Sequence, residues 1–152
     1  MTERPLGRSG LVVSRLGLGL AAIGRPAYIN LGRARDLPAA RTPEALYRQT
    51  AGLLDAARAA GVRYLDVARS YGRAEEFLAR WLAERGVPPR ALTIGSKWGY
   101  RYTAGWTLDA AVHAGTPSVA VTMRGAALPC GCDLVSLTPW SHRATLRRTP
   151  GG

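Results

Sequence analysis

Three side chains in this sequence combine types and spacing that could move a proton: Asp66, Tyr71 and Lys97. Of the 21 basic residues, Lys97 is the single lysine and all the others are arginine. Such a bias fits a GC-rich coding sequence, and a lone lysine against it marks a position that arginine does not fill. Arginine stays charged in every protein setting, whereas lysine is a compact ammonium whose pKa can move. An ammonium beside a phenol favours the phenolate, and a carboxylate can hold the ammonium in place. A phenol tuned in this way can give its proton to a developing alkoxide. The same three residues also admit a plainer account, a surface ion pair of small worth beside an unrelated loop tyrosine.

The elements around the trio decide whether its members can meet. Thr42-Pro43-Glu44 reads as a helix start, with a capping hydroxyl, a proline at the first helical position and an acid at the positive end of the dipole. Leu46, Thr50, Leu53, Leu54 and Ala57 recur at helical spacing and predict one buried face. Gly61 is the expected stop. The stretch Arg63-Tyr64-Leu65-Asp66-Val67-Ala68 reads as a strand. A second helix is predicted from about Arg73 to Arg85, burying Phe77, Leu78, Trp81 and Leu82 and ended by Gly86 and Pro88-Pro89. Ala91 to Ser96 is the next strand and leads directly to Lys97. Upstream, Leu6 to Val13 reads as a short hairpin and Ser14 to Gly19 as a first buried strand, followed by a loop over Gly24 to Arg41.

Strand, helix, strand, helix, strand is the order of a parallel α/β sheet with right-handed crossovers. In such a sheet the carboxyl ends of neighbouring strands share one edge, where sites are built. One crossover separates Asp66 from Lys97, so their separation of 31 positions does not keep them apart.

At these residues the sequence resembles the aldo-keto reductase family. Leu65-Asp66-Val67-Ala68-Arg69-Ser70-Tyr71-Gly72 is similar to that family's aspartate followed five positions later by tyrosine and glycine. Ile94-Gly95-Ser96-Lys97-Trp98-Gly99-Tyr100 resembles its lysine strand, and Arg4 to Gly19 resembles its N-terminal hairpin and first strand. The resemblance covers about residues 3–113. It implies a (β/α)8 TIM barrel and reduction of small carbonyls, or oxidation of alcohols, with a nicotinamide cofactor, NADPH in the usual case. By the same resemblance Tyr71 is the general acid, Lys97 lowers its pKa and Asp66 pairs with Lys97. Gly19, Leu20, Ala21 and Asp66 lie against the cofactor. Trp98 and Trp106 are candidates for a substrate pocket, though core or rim packing is the commoner fate of such residues.

Two features depart from the family. Its fourth catalytic residue is a histidine in the pattern Asp-Leu, three residues, His-Ser. The best match here, Asp133-Leu134-Val135-Ser136-Leu137-Thr138, puts Thr138 or Val135 at that place. His142 is out of register and His113 lies too early. The full barrel also needs roughly 250 residues, against 152 here. After about Ala114, acids all but vanish, Asp133 being the last, and periodicity stops with them. The expectation is therefore a partial barrel: a hairpin plus about three βα units over residues 1–114, then an irregular tail over 115–152. Such a chain reads as a truncated or frameshifted reductase with weak or absent NADPH binding and its activity left open. The alternative is a non-enzymatic fragment that self-associates through exposed sheet edges or binds a partner chain.

Composition bounds the rest. A hydrophobic fraction of 47% and a mean hydropathy of -0.07 suit a soluble globular protein. No apolar run approaches the roughly 18 residues of a membrane span, and no signal pattern opens the chain, which points to the cytoplasm and away from membranes. The net charge of +11 allows nucleic-acid contact, but the arginines are spread along the chain without interleaved aromatics, so no specific nucleic acid is expected. Cys130 and Cys132 sit one residue apart, too close for an easy disulfide and too few for zinc. No metal site is expected.

Overall fold

The computed structural model describes residues 2–27, 39–98, 100–109, 118–120, 134–136 and 145–146. Within them the chain forms a parallel α/β sheet, two long helices on one of its faces, and a hairpin at one end. Strands β1 (Glu3–Pro5) and β2 (Val12–Ser14) pair antiparallel, with Glu3 opposite Ser14. Next come β3 (Gly17–Gly19), α1 (Pro43–Ala59), β4 (Tyr64–Asp66), α2 (Ala74–Glu84) and β5 (Thr93–Ser96). β3, β4 and β5 are parallel neighbours in that order. This is the arrangement of consecutive βα units in part of a TIM barrel, with Gly19, Asp66 and Gly95 in one row across the sheet.

The helix boundaries follow from local chemistry. Thr42 is the cap of α1, its hydroxyl oxygen accepting from the Ala45 N–H at 3.2 Å, with Pro43 in the first turn. The helix ends at Ala59 and Gly61 turns the chain at φ +86°, a conformation glycine adopts without strain. α2 runs one residue inside each predicted limit, between Arg73 and Arg85. A 3-10 turn over Pro89–Ala91 shortens the predicted third strand, which begins at Thr93.

Both helices pack on the sheet face that carries Leu18, Leu65 and Ile94. The core there joins Leu20, Leu46, Leu54, Leu65, Phe77, Trp81 and Ile94, all 4% exposed or less. Fully burying each large side chain contributes roughly 1.5–3 kcal/mol. Tyr47 and Ala51 belong to the buried face of α1, while Leu53, predicted there, is 41% exposed. The buried stripe is centred between Leu46, Thr50 and Leu54, and one step of 100° carries Leu53 out of it. Leu82 of α2 is partly buried against the core. The strand predicted as buried before Gly19 is also corrected, because Gly17 and Gly19 are exposed and Leu18 is half-buried. The two helices are joined at their outer rims by polar contacts: Arg80 to Glu44, Arg85 to Asp55, the Trp81 indole N–H to Asp55 at 2.8 Å, and the Tyr47 hydroxyl to Glu84. Several of the arginines that raise the net charge are thus engaged with carboxylates of the chain itself.

The hairpin closes the amino-terminal end of the sheet. Ser14 Oγ accepts from the Arg63 N–H at 2.8 Å, and Thr93 Oγ1 donates to the Val12 carbonyl at 3.3 Å. Among the described residues beyond 114 are three short strands: β7 (Ser118–Ala120), paired with β6 (Tyr100–Tyr102), then β8 (Leu134–Ser136) and β9 (Thr145–Leu146). β8 lies parallel to β5, with Val135 opposite Gly95, and β9 is antiparallel to β8. The stretch that best matches the family's fourth strand therefore occupies the fourth position in the sheet. Thr138, His113, His142 and both cysteines lie outside the described residues.

Candidate active site

Strand alternation divides the sheet's side chains between its two faces. Leu18, Leu65, Ile94 and Ser96 point to the helices. Tyr64, Asp66 and Thr93 are on the opposite face, with Gly95 and Lys97 in sequence with them. Pairing continues past the strand ends: the Val67 N–H donates to the Gly95 carbonyl at 2.8 Å and the Arg69 N–H to the Lys97 carbonyl at 3.1 Å. Asp66 and Lys97 are thereby brought to the same carboxyl-terminal edge.

There the Lys97 ammonium donates to Asp66 Oδ1 at 2.6 Å and to the Val67 carbonyl at 3.0 Å. It also lies 4.8 Å from the centre of the Tyr71 ring. Lys97 and Asp66 keep 27% and 28% of their side chains exposed, so the pair is half-buried with water on one side. Burial by itself pulls the lysine's pKa down. Hydrogen bonds to Asp66 and Tyr71 outweigh that effect and hold Lys97 above its ordinary value. Tyr64, below the pair on the same face, is pushed up by burial and by the Asp66 carboxylate, with Lys97 opposing.

The residues expected near a cofactor divide. Gly19 is exposed, sits beside Asp66 in the sheet, and has no atom within 4 Å of the place a Cβ would take. Leu20 is 0% exposed in the core and its N–H is bound to the Asp66 carbonyl at 2.8 Å, so its side chain is turned away from the edge. Ala21 is half-buried in the turn that follows. Trp106 packs edge-on against Phe77 at 6.3 Å and donates its indole N–H to the Arg41 carbonyl at 2.7 Å. It also borders a cleft of about 660 Å3 between the start of α2 and the loop after β6, shared with Arg69, Arg73, Glu76 and Tyr102. Trp98 is half-buried.

Sequence reasoning did not single out Arg25. It is 8% exposed, donates to the Ser70 carbonyl at 2.5 Å, and stacks near the rings of Tyr71 and Tyr102. No periodicity or motif marks an arginine in a glycine- and proline-containing loop. Ser96 was likewise read only as part of a strand, yet its hydroxyl donates to Glu75 at 2.7 Å and ties the end of β5 to α2. Among the described residues no group of three histidines, cysteines or carboxylates could hold a metal. No described helix is long and apolar enough to cross a membrane.

The profile of the Aldo/keto reductase family matches residues 15–120, which is most of the chain and all of the trio. The chain belongs to the aldo/keto reductase family. Two solved structures from Pseudomonas aeruginosa, both assigned to the aldo-keto reductases, are similar to it. One is 37% identical over 68% of this chain and 33% of its own, with a TM-score of 0.49. The other is 38% identical over 65% of this chain and 32% of its own, with a TM-score of 0.47. The chain therefore spans about a third of the length of these aldo-keto reductases. None of the curated proteins matches it.

Proposed function

We propose that this member of the aldo/keto reductase family carries the proton-transfer part of an NADPH-dependent carbonyl reduction, with Tyr71, Lys97 and Asp66 as its working residues. The observation that carries the reading is the Lys97 ammonium, bonded to Asp66 at 2.6 Å and lying 4.8 Å from the centre of the Tyr71 ring, at the carboxyl edge of the sheet. Tyr71 would hold the proton delivered to the carbonyl oxygen as it becomes an alkoxide. Lys97 would stabilise the negative charge left on the phenol oxygen, and Asp66 would keep Lys97 in place and balance its charge. The cofactor, when bound, supplies the hydride that completes the alcohol.

The residues at this edge suit the nicotinamide end of such a cofactor. The open space over Gly19 admits a flat ring beside Asp66, Ala21 lies at the rim, and Leu20 offers only backbone. NADP in preference to NAD, and a small carbonyl or alcohol substrate, rest on family membership.

The test is turnover of a generic aldehyde by the full chain, followed by NADPH absorbance, beside a Tyr71→Phe variant. We expect Tyr71→Phe to lower turnover by about 10²–10⁴-fold, the usual worth of a positioned general acid. Equal rates in the two proteins would refute the assignment of Tyr71. No turnover above the buffer rate in the unaltered chain would refute the activity.

A further inference from the structure

The sheet places Asp66 and Lys97, but it does not place Tyr71. Tyr71 lies in the connection to α2, five positions past the end of β4, where strand pairing no longer determines where a side chain points. Local bonds turn this connection, the Tyr71 N–H donating to the Ala68 carbonyl at 2.9 Å and the Ala74 N–H to the Tyr71 carbonyl at 3.2 Å, and Gly24 and Arg25, in the turn after β3, add contacts from another segment.

The backbone part of this attachment is a close fit of two glycines. The Arg73 N–H donates to the Gly24 carbonyl at 2.8 Å. A Cβ on Gly24 would overlap the Tyr71 carbonyl oxygen and the Ala74 nitrogen, and one on Gly72 would overlap the Gly24 carbonyl oxygen. Gly72 also sits at φ +64°, which a side chain would strain. The two segments thus meet backbone against backbone from Tyr71 to Ala74.

Arg25 adds the side-chain part. Its guanidinium donates to the Ser70 carbonyl at 2.5 Å, on the peptide that leads into Tyr71. It lies 5.9 Å from the centre of the Tyr71 ring and 5.0 Å from that of Tyr102. Lys97 approaches the same Tyr71 ring at 4.8 Å. A buried guanidinium is costly unless hydrogen-bonded, so simple space-filling is better done by an apolar side chain. The planar fork of arginine can bind a carbonyl and lie against rings at once, which a lysine cannot reproduce.

We propose that Arg25 is a positioning residue for Tyr71: by holding the Ser70 carbonyl and lying against the phenol ring, it sets the place of the phenol oxygen beside Lys97. Its importance for catalysis rests on the reading of Tyr71 as the proton donor. The placement itself does not, and it is measured separately.

The experiment uses the full chain labelled with 3-fluorotyrosine and read by fluorine NMR, with Tyr71→Phe identifying the Tyr71 resonance. Arg25→Lys keeps the charge and Arg25→Met keeps much of the stem. In both, the Tyr71 resonance should move. The Tyr102 resonance should follow, and that of Tyr47, in the helix layer, should stay. In turnover, kcat should fall about a hundredfold, the cost of a misplacement near 1 Å, while KM for the aldehyde holds. A Tyr71 resonance that stays in place in a folded Arg25→Lys protein overturns the proposal. So does failure of both variants to fold, which would make Arg25 a residue of general stability. Full turnover in Tyr71→Phe would instead remove the catalytic reading and leave the fluorine result intact.

Discussion

Replacing Asp66 by asparagine keeps the size of the side chain and removes the charge that faces Lys97 at 2.6 Å. What remains is an ammonium with about a quarter of its side chain in water, bonded to the Val67 carbonyl and 4.8 Å from the centre of the Tyr71 ring. Breaking a fully buried pair costs about 3–5 kcal/mol, and a fully exposed one about 0–1 kcal/mol. At 27–28% exposure the pair lies between these limits, so Asp66→Asn should destabilise the fold by about 1–3 kcal/mol at neutral pH. The sign of the pH dependence sharpens this. In the unaltered protein Lys97 is held above its ordinary value of 10.5. Its contribution is therefore complete below pH 10.5 and is lost as pH rises through the folded-state pKa. In Asp66→Asn, burial is no longer opposed by the Asp66 carboxylate, so the lysine's pKa falls. Deprotonation then relieves the variant at a lower pH than it harms the parent. The Asp66 carboxylate also raises Tyr64, and its removal acts in the same direction. The gap between the two proteins should hence be widest near pH 7–8 and close toward pH 11. Urea denaturation followed by circular dichroism at several pH values measures it. A gap below about 0.5 kcal/mol, or one that stays constant from pH 7 to 11, would refute the electrostatic account of the pair.

Two further outcomes test the packing and the surface. Leu54→Ala, at a residue 1% exposed, should cost about 2–5 kcal/mol by urea denaturation, while Leu53→Ala, one residue away and 41% exposed, should cost well under half as much; equal costs would place the buried face of α1 wrongly. The carboxyls of Glu44, Asp55 and Glu84 are held below their ordinary values by hydrogen bonds, from Arg80, from Arg85, and from Tyr47 with Arg80 respectively. Their contribution is present above pH 4.5 and is lost as pH falls through the lowered values, so stability should decline on acidification below that point, and a Glu44→Gln, Asp55→Asn, Glu84→Gln protein should decline less.

The order of elements from the hairpin to β5 and the limits of both helices were legible in the sequence. They depend on neighbours in the chain: the Thr42 hydroxyl reaches an N–H three residues on, and Gly61 turns its own backbone. The meeting of Asp66 and Lys97 was legible too, because parallel strands joined by one crossover bring their carboxyl ends to a common edge. Other features depended on contacts far apart in sequence. Helical spacing placed Leu53 inside and overlooked Tyr47, because a stripe read from periodicity has no fixed centre until the sheet is packed against it. The pairing of β8 with β5 draws on residues whose own pattern is weak. Tyr71 is the sharpest case. Its spacing from Asp66 was visible, but five positions past a strand end the sheet no longer sets the direction of a side chain. Local bonds of the connection turn it, and Gly24 and Arg25, more than forty residues earlier, press backbone and guanidinium against it. Local bonding decides where elements begin and end, and so can be read along the chain. Contacts between segments far apart in sequence, such as these, are brought together only by the tertiary structure.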